Sequence, residues 1–276
     1  MIISIASGKG GTGKTLFSTS LALSIGACRF LDCDVEEPNA GIFLKPEAGS
    51  RESVSVLVPS VDAEKCGLCG KCAKVCEFNA IAVTPDKVLI FPELCHSCGA
   101  CAVLCPKGAI AEKEKEIGVI ESGRAGAIDC HSGRLNVGVA TAVPLIRALK
   151  KKIGVKDGLP TIIDCPPGTS CPVIEAVKGS DYSILVTEPT PFGLSDLKLA
   201  AGVLRKLKIP FGVVVNRSGS GFPGTAEYLK GEGIEVLMEI EESRQIAEAY
   251  SRGVPLVRAM PEYAGKLRGL FGRISG

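Results

Sequence analysis

GKGGTGKT occupies residues 8–15, between an apolar run at Ile2–Ala6 and an apolar stretch of helical character at Lys14–Ile25. Gly8, Gly10, Gly11 and Gly13 allow the backbone N–H groups around Thr12 to turn inward on phosphate oxygens. The N-terminus of the helix that follows adds the positive end of its dipole. Strand, glycine loop, Gly-Lys-Thr and helix, in that order, is the context that gives such a loop its meaning. Within it Lys14 is expected to reach the β- and γ-phosphates, and the Thr15 hydroxyl to ligate Mg²⁺.

Outward from this loop, short apolar runs alternate with longer helix-compatible stretches. Strands are expected at Ile2–Ala6, Arg29–Asp32, Thr161–Asp164, Tyr182–Thr187, Phe211–Val215 and Val236–Ile240, and helices between them at Lys14–Ile25, Ala142–Lys152, Leu194–Leu207 and Ser243–Ser251. Several runs are continuously Ile, Val and Leu, as strands buried on both faces of a parallel sheet require. The expected class is α/β, with a doubly wound, mostly parallel sheet.

The alternation breaks over residues 62–115. Cys66, Cys69, Cys72 and Cys76 return 29 positions later as Cys95, Cys98, Cys101 and Cys105, and Ala80-Ile81-Ala82 returns as Ala109-Ile110-Ala111. Such self-similarity marks a duplicated unit. We therefore expect an inserted domain at 62–115 within a discontinuous domain of 1–61 and 116–276. Each run reads C-x2-C-x2-C-x3-C, which resembles the bacterial two-cluster ferredoxin arrangement. In that arrangement the fourth cysteine of each run serves the other cluster. Carried over, Cys66, Cys69, Cys72 and Cys105 hold one 4Fe–4S cluster, and Cys95, Cys98, Cys101 and Cys76 the second. Zinc is the competing ligand, but its tetrahedral sites usually draw on two separated cysteine pairs. Cys76 is followed by Glu77 where Cys105 has Pro106. A negative charge there lowers the potential of a nearby cluster. His96, inside the second run, reads as an exposed filler.

The bulk composition restricts function further. The chain has 276 residues, 13 cysteines and 46% hydrophobic residues, with 32 Lys+Arg against 30 Asp+Glu. A net charge of +2 gives no electrostatic footprint for nucleic acid. No apolar run approaches the roughly 20 residues that span a bilayer. MIISIASGKGG has no basic stretch leading into a long apolar segment, so a cytoplasmic setting is expected. Cysteines clustered in a reducing compartment point to metal or redox chemistry rather than disulfides. The five scattered ones, Cys28, Cys33, Cys130, Cys165 and Cys171, are expected as small buried apolar residues.

Lys9, directly after the first glycine, makes GKGGTGKT resemble the deviant Walker A motif of the MinD-type ATPases, which include the nitrogenase iron protein and the partition ATPases. That resemblance implies ATP and ADP as ligands and a nucleotide-dependent homodimer in which Lys9 reaches the partner's phosphates. It also implies a first switch at Asp32-Cys33-Asp34, with Asp34 orienting the attacking water or its Mg²⁺. Ile162-Ile163-Asp164-Cys165-Pro166-Pro167-Gly168 resembles the Walker B strand and second switch. There Asp164 holds Mg²⁺ through water and Gly168 senses the γ-phosphate. Asn216 stands where the superfamily holds adenine, although Ile240-Glu241-Glu242-Ser243 departs from the proline and aspartate often found in the base-packing loop.

Taken together these parts resemble MinD-superfamily P-loop ATPases containing an inserted ferredoxin domain. The function that this resemblance implies is ATP hydrolysis, slow or partner-stimulated, coupled to electron transfer or partner docking through the clusters. Iron–sulfur or metal-cofactor assembly, with the protein as carrier, is the alternative. Spatial organisation on a membrane is a second, because Lys266, Arg268 and Arg273 lie among Leu267, Leu270, Phe271 and Ile274 in a basic, partly amphipathic C-terminal stretch. Its competing reading is a last helix packed on the sheet. The segment Gly118–Val143 is expected to be the connection back into the α/β core.

Overall fold

The strand runs that are continuously apolar become the centre of one sheet. In the computed structural model, which describes residues 1–154, 158–219 and 222–276, the strands are β1 (Ile2–Ala6), β2 (Cys28–Asp32), β3 (Glu47–Val61), β4 (Ile81–Val83), β5 (Val88–Ile90), β6 (Ile110–Ala125), β7 (Ile128–Leu135), β8 (Thr161–Asp164), β9 (Tyr182–Thr187), β10 (Phe211–Ser218) and β11 (Val236–Glu241). Nine of them form a sheet in the order β11-β10-β9-β1-β8-β2-β7-β6-β3. From β11 through β7 every neighbouring pair is parallel. β2 and β8 are buried at every residue, and β1 and β9 at all but the first, because helices cover both faces.

Register brings the carboxyl ends of β1, β2 and β8 together. Ile5 lies opposite Asp164, and Asp164 opposite Asp32. Ligands of open α/β sheets bind outside such ends. The first helix, Lys14–Ile25, is buried through most of its length, with Phe17 and Leu21 fully enclosed. A C-terminal helix, Glu262–Ser275, packs along it. Leu267 and Leu270 belong to the core, and Phe271 and Ile274 are partly buried against it. The apolar face that a membrane anchor would present is therefore already covered, and the packed-helix reading holds. Among the described residues no helix is long and apolar enough to cross a membrane.

Gly118–Val143 is not merely a connection. It contributes the end of β6 and all of β7, joined by a two-residue turn in which Gly126 takes φ 61°. β7 lies parallel to β2, with Cys130 opposite Phe30. Asp129, Ser132 and Gly133 hide the strand from propensity; pairing along β2 supplies what local preference lacks.

The chain divides into two units. One comprises Met1–Arg51, Ile120–Arg134 and Ile146–Gly276; the other comprises Glu52–Val119 and Leu135–Leu145. The second contains the antiparallel pair β4–β5, in which Ile81 faces Ile90, and two short helices, Lys71–Val75 and Ala100–Val103. Its 29-residue repeat is visible in the backbone. Leu68 and Ser97 take φ 49° and 55°, Gly70 and Gly99 both take 72°, and Asn79 and Gly108 take 53° and 58°. Asn79 adopts at its position the left-handed conformation that glycine supplies in the twin, a conformation asparagine tolerates better than most residues.

Candidate functional site

The phosphate loop leaves β1 and turns back into the first helix by means of two left-handed glycines, Gly11 (φ 79°) and Gly13 (φ 94°). Gly13 is needed on a second ground: a Cβ there would collide with the Asn216 side-chain amide. Asn216, at the end of β10, donates through Nδ2 to the Thr12 carbonyl at 2.8 Å. It thus braces the loop in this state. Lys14 and Thr15 are buried, at 6% and 7% exposure. A cavity of about 630 Å³ opens in front of them, within the size range of small-molecule sites. Asp34 and Asn39 line one wall, and Asn216, Arg217 and the Glu241-Glu242-Ser243 loop line another. Arg244 and Tyr250 join Arg217 along its border. Sequence reasoning missed these three, because nothing in their local pattern distinguishes them from surface residues.

The Thr15 hydroxyl donates to Asp164 Oδ2 at 2.7 Å, both groups being buried. Asp164 Oδ1 has no hydrogen-bond partner among the described residues. Burial pushes the Asp164 carboxyl up, while Lys14 and the Thr15 hydroxyl oppose that rise. A buried carboxylate with one oxygen unpartnered, beside a threonine hydroxyl, is the donor set a hydrated Mg²⁺ needs.

Asp34 is pushed up to about 6, chiefly by burial; Lys14 lowers it, and Asp164, Glu37 and Glu36 raise it. Asp32, two residues earlier, is fully buried and does a different job. Its Oδ1 accepts from the Asp34 amide at 3.3 Å and its Oδ2 from the Ala40 amide at 3.1 Å. It shapes the segment that presents Asp34. Gly168 is left-handed at φ 95°, and its N–H donates to the Ser7 carbonyl at 3.0 Å. That amide must leave Ser7 before it can meet a phosphate.

Lys9 does not line the cavity of its own chain. Its ammonium lies 3.4 Å from Glu188 Oε2.

In the second unit the cysteines gather in two cavities. Cys66, Cys69 and Cys72 share one with Cys105; Cys95, Cys98 and Cys101 share the other with Cys76. Each run therefore gives its fourth thiol to the other's cavity. Backbone amides point at sulfur in repeated positions: Ala80 donates to Cys76 Sγ and Ala109 to Cys105 Sγ, both at 3.3 Å, and Ser97 donates to Cys95 Sγ at 3.4 Å. The Ala109 amide, with those of Lys107, Ile110 and Gly108, lowers the Cys105 thiol, whereas burial raises Cys72 and Cys101. Cys69 and Cys98, the second of each run, are exposed. Among the described residues no three His, Cys, Asp or Glu groups converge tightly enough to hold one metal ion. The four cysteines of each set line one common cavity. Glu77 is exposed, and His96, also exposed, stacks on Phe78 with ring centroids 3.6 Å apart.

Of the scattered cysteines, Cys28, Cys33, Cys130 and Cys165 are buried as expected, and burial raises each thiol. Cys171 is exposed instead, because it opens the helix Cys171–Val177 at the surface.

Three comparisons bear on this geometry. An uncharacterized protein of Methanocaldococcus jannaschii is 31% identical over 263 residues, covering 92% of this chain and 90% of that protein. An iron-sulfur cluster carrier protein of Pyrococcus horikoshii is 29% identical over 160 residues, covering 48% of this chain and 54% of the carrier. The septum site-determining protein MinD of Pyrococcus horikoshii, solved in complex with Mg-ADP, superposes with a TM-score of 0.61 at 22% identity, covering 100% of this chain and 97% of that one. The fold is thus that of a MinD-like P-loop protein. The family model for the CobQ/CobB/MinD/ParA nucleotide binding domain matches residues 3–256, and the chain belongs to that family.

Proposed function

We propose that the chain binds and hydrolyses ATP with Mg²⁺, and that its nucleotide state governs electron transfer through, or partner docking at, two 4Fe–4S clusters. The observation that carries the reading is the exchange of fourth cysteines between the two cavities, in a chain that also has a complete phosphate loop. On this reading residues 62–115 form a ferredoxin-like insert in an ATPase domain of 1–61 and 116–276. A single zinc needs its ligands within about 2.3 Å of one point. Four cysteines lining one cavity, in the C-x2-C-x2-C-x3-C spacing, suit an iron–sulfur cube instead. Bound there, the clusters store and pass single electrons. Cys66, Cys69, Cys72 and Cys105 hold one, and Cys95, Cys98, Cys101 and Cys76 the other.

At the nucleotide, the N–H groups of Gly8 through Thr15 cradle the phosphates, Lys14 neutralises the β- and γ-oxygens, and Thr15 and Asp164 hold Mg²⁺, the latter through water. Asp34, ionised above about pH 6, orients the attacking water and takes up a hydrogen bond from it. Gly168 exchanges the Ser7 carbonyl for the γ-phosphate, which moves the second switch. Asn216 leaves Thr12 for adenine. Two copies close around the nucleotides, and Lys9 crosses to the partner's phosphates.

The test is iron content and EPR of anaerobically purified protein with Mg-ADP and with a non-hydrolysable ATP analogue. About eight irons per chain and signals or potentials that change between the two nucleotides are expected. Identical potentials and identical electron-transfer rates in both states overturn the coupling.

Cluster or cofactor delivery is the second reading, favoured by similarity to proteins named as iron-sulfur cluster carriers and by the exposure of Cys69 and Cys98. Transfer of iron to an apo-ferredoxin supports delivery; clusters that resist chelators count against it.

A further inference from the structure

Glu188 follows the last residue of β9 and is 7% exposed, yet it carries a carboxylate. Two cations compensate it. Arg217 Nη1 lies 2.6 Å from Oε1, and Lys9 Nζ lies 3.4 Å from Oε2. The two differ in grip. The Arg217 contact is a short, charge-assisted hydrogen bond from a residue whose backbone is held in the left-handed region at φ 54°. The Lys9 contact is longer, beyond hydrogen-bond length for a charged pair. The Arg217 side chain is the more exposed of the two, so distance and geometry separate them rather than burial. The loop backbone beneath Lys9 is pinned, since Ser7 Oγ donates to the Lys9 carbonyl at 2.6 Å. The ammonium can thus swing while its Cα stays in place.

We infer that Glu188 is an internal anion that holds Lys9 on its own chain and competes with an incoming phosphate for it. This deepens, and rests on, the reading in which Lys9 serves the nucleotide of a second copy. A buried carboxylate deprived of all its partners is costly, and that cost would make the pair permanent. Arg217 removes this obstacle. When Lys9 departs, Glu188 keeps its shorter bond, so the exchange of one anion for another at Lys9 is reversible. Closure of two copies then requires each Lys9 to leave its own Glu188, and the dimer forms only when a phosphate offers more negative charge than the carboxylate does. Glu188 acts through Lys9 and is a positioning residue.

The experiment is sedimentation velocity of the full chain carrying its clusters, kept anaerobic, with Mg²⁺ and either ADP or a non-hydrolysable ATP analogue. The variants are Glu188→Gln, which keeps shape and loses charge, and Glu188→Asp, which keeps charge and withdraws it by one methylene. With the analogue, the concentration at half-dimerisation is expected to fall about tenfold in Glu188→Gln, the scale of one partly buried ion pair, and less in Glu188→Asp. The affinity of the monomer for ADP is expected to change little. In the wild-type chain, the Lys9 amine should be acylated more slowly before nucleotide is added than in Glu188→Asp, a readout that survives if the glutamine variant does not fold. An unchanged or higher midpoint in the variants, or an equal tightening for ADP, overturns the restraint while leaving the dimer intact. A wild-type chain that stays monomeric with both nucleotides removes the dimer reading itself, and the restraint with it.

Discussion

Thr15→Val tests the metal corner of the site through two effects of known sign. The hydroxyl donates at 2.7 Å to Asp164 Oδ2, and Oδ1 of the same carboxylate has no other partner among the described residues. Valine keeps the shape and removes the donor, so Oδ2 of this buried carboxyl loses its hydrogen bond from Thr15 while Oδ1 has none to lose. The cost of leaving such a group unsatisfied is about 1–3 kcal/mol. The nucleotide-free protein should lose about that much in urea unfolding followed by circular dichroism in EDTA. Asp164→Asn moves the other way. Burial already disfavours the ionised form of this group, so the amide should leave stability unchanged or raise it by about 1 kcal/mol, as happens when strained functional groups are relieved. Both variants should lose Mg²⁺-dependent ADP affinity in calorimetry. The reasoning is refuted if Thr15→Val unfolds at the wild-type urea concentration, or if Asp164→Asn is destabilised as much as Thr15→Val.

Three further outcomes follow from the same geometry. Cys105→Ser should remove the cluster of Cys66, Cys69 and Cys72, and Cys76→Ser that of Cys95, Cys98 and Cys101, read by EPR; loss of each serine variant's sequence-adjacent cluster instead would reverse the pairing. Asp34 has a folded value of about 6, above its ordinary 3.8. Its ionisation therefore costs stability progressively as pH rises from about 4 to about 6, and none of that cost is present below the unfolded value. Asp34→Asn should be more stable than wild type at pH 7 and equal to it at pH 3.5 by thermal unfolding, whereas wild-type hydrolysis should fall as pH drops through about 6. Leu267→Ala, at a fully buried position of the C-terminal helix, should cost about 2–5 kcal/mol, and flotation with anionic liposomes should show no binding by wild type.

The strands that carry the phosphate loop and Asp164 were legible because their residues are apolar on both faces and end in a charged or glycine turn, which is local information. β7 was not legible, because Asp129, Ser132 and Gly133 carry little strand preference and pairing along β2 makes the segment extended. Asp34 was legible as a candidate from its position after β2. That Asp32 positions it, by accepting amides from Asp34 and Ala40, depends on a side chain folding back over a turn. Arg217 reaches the cavity from β10, and Arg244 and Tyr250 from the helix Arg244–Ser251, and no spacing within one element announces the meeting of a strand end with a helix that follows it in the chain. The amphipathic end of the chain suited a membrane or a core equally well, since periodicity describes a face but not what covers it.

What the sequence determined by itself was chemistry with a fixed local spacing: GKGGTGKT, because a phosphate cradle is made by consecutive amides, and two C-x2-C-x2-C-x3-C runs repeating at 29 residues. Tertiary structure decided the relations between distant parts. It placed Asp164 opposite Asp32 and within a hydrogen bond of Thr15, closed Gly168 onto Ser7, and set Lys9 against Glu188. The physical reason is range. Backbone dihedrals and helix or strand periodicity are settled within a few residues, whereas a buried carboxylate takes its partners from whatever the fold brings beside it, 149 positions away for Thr15 and Asp164.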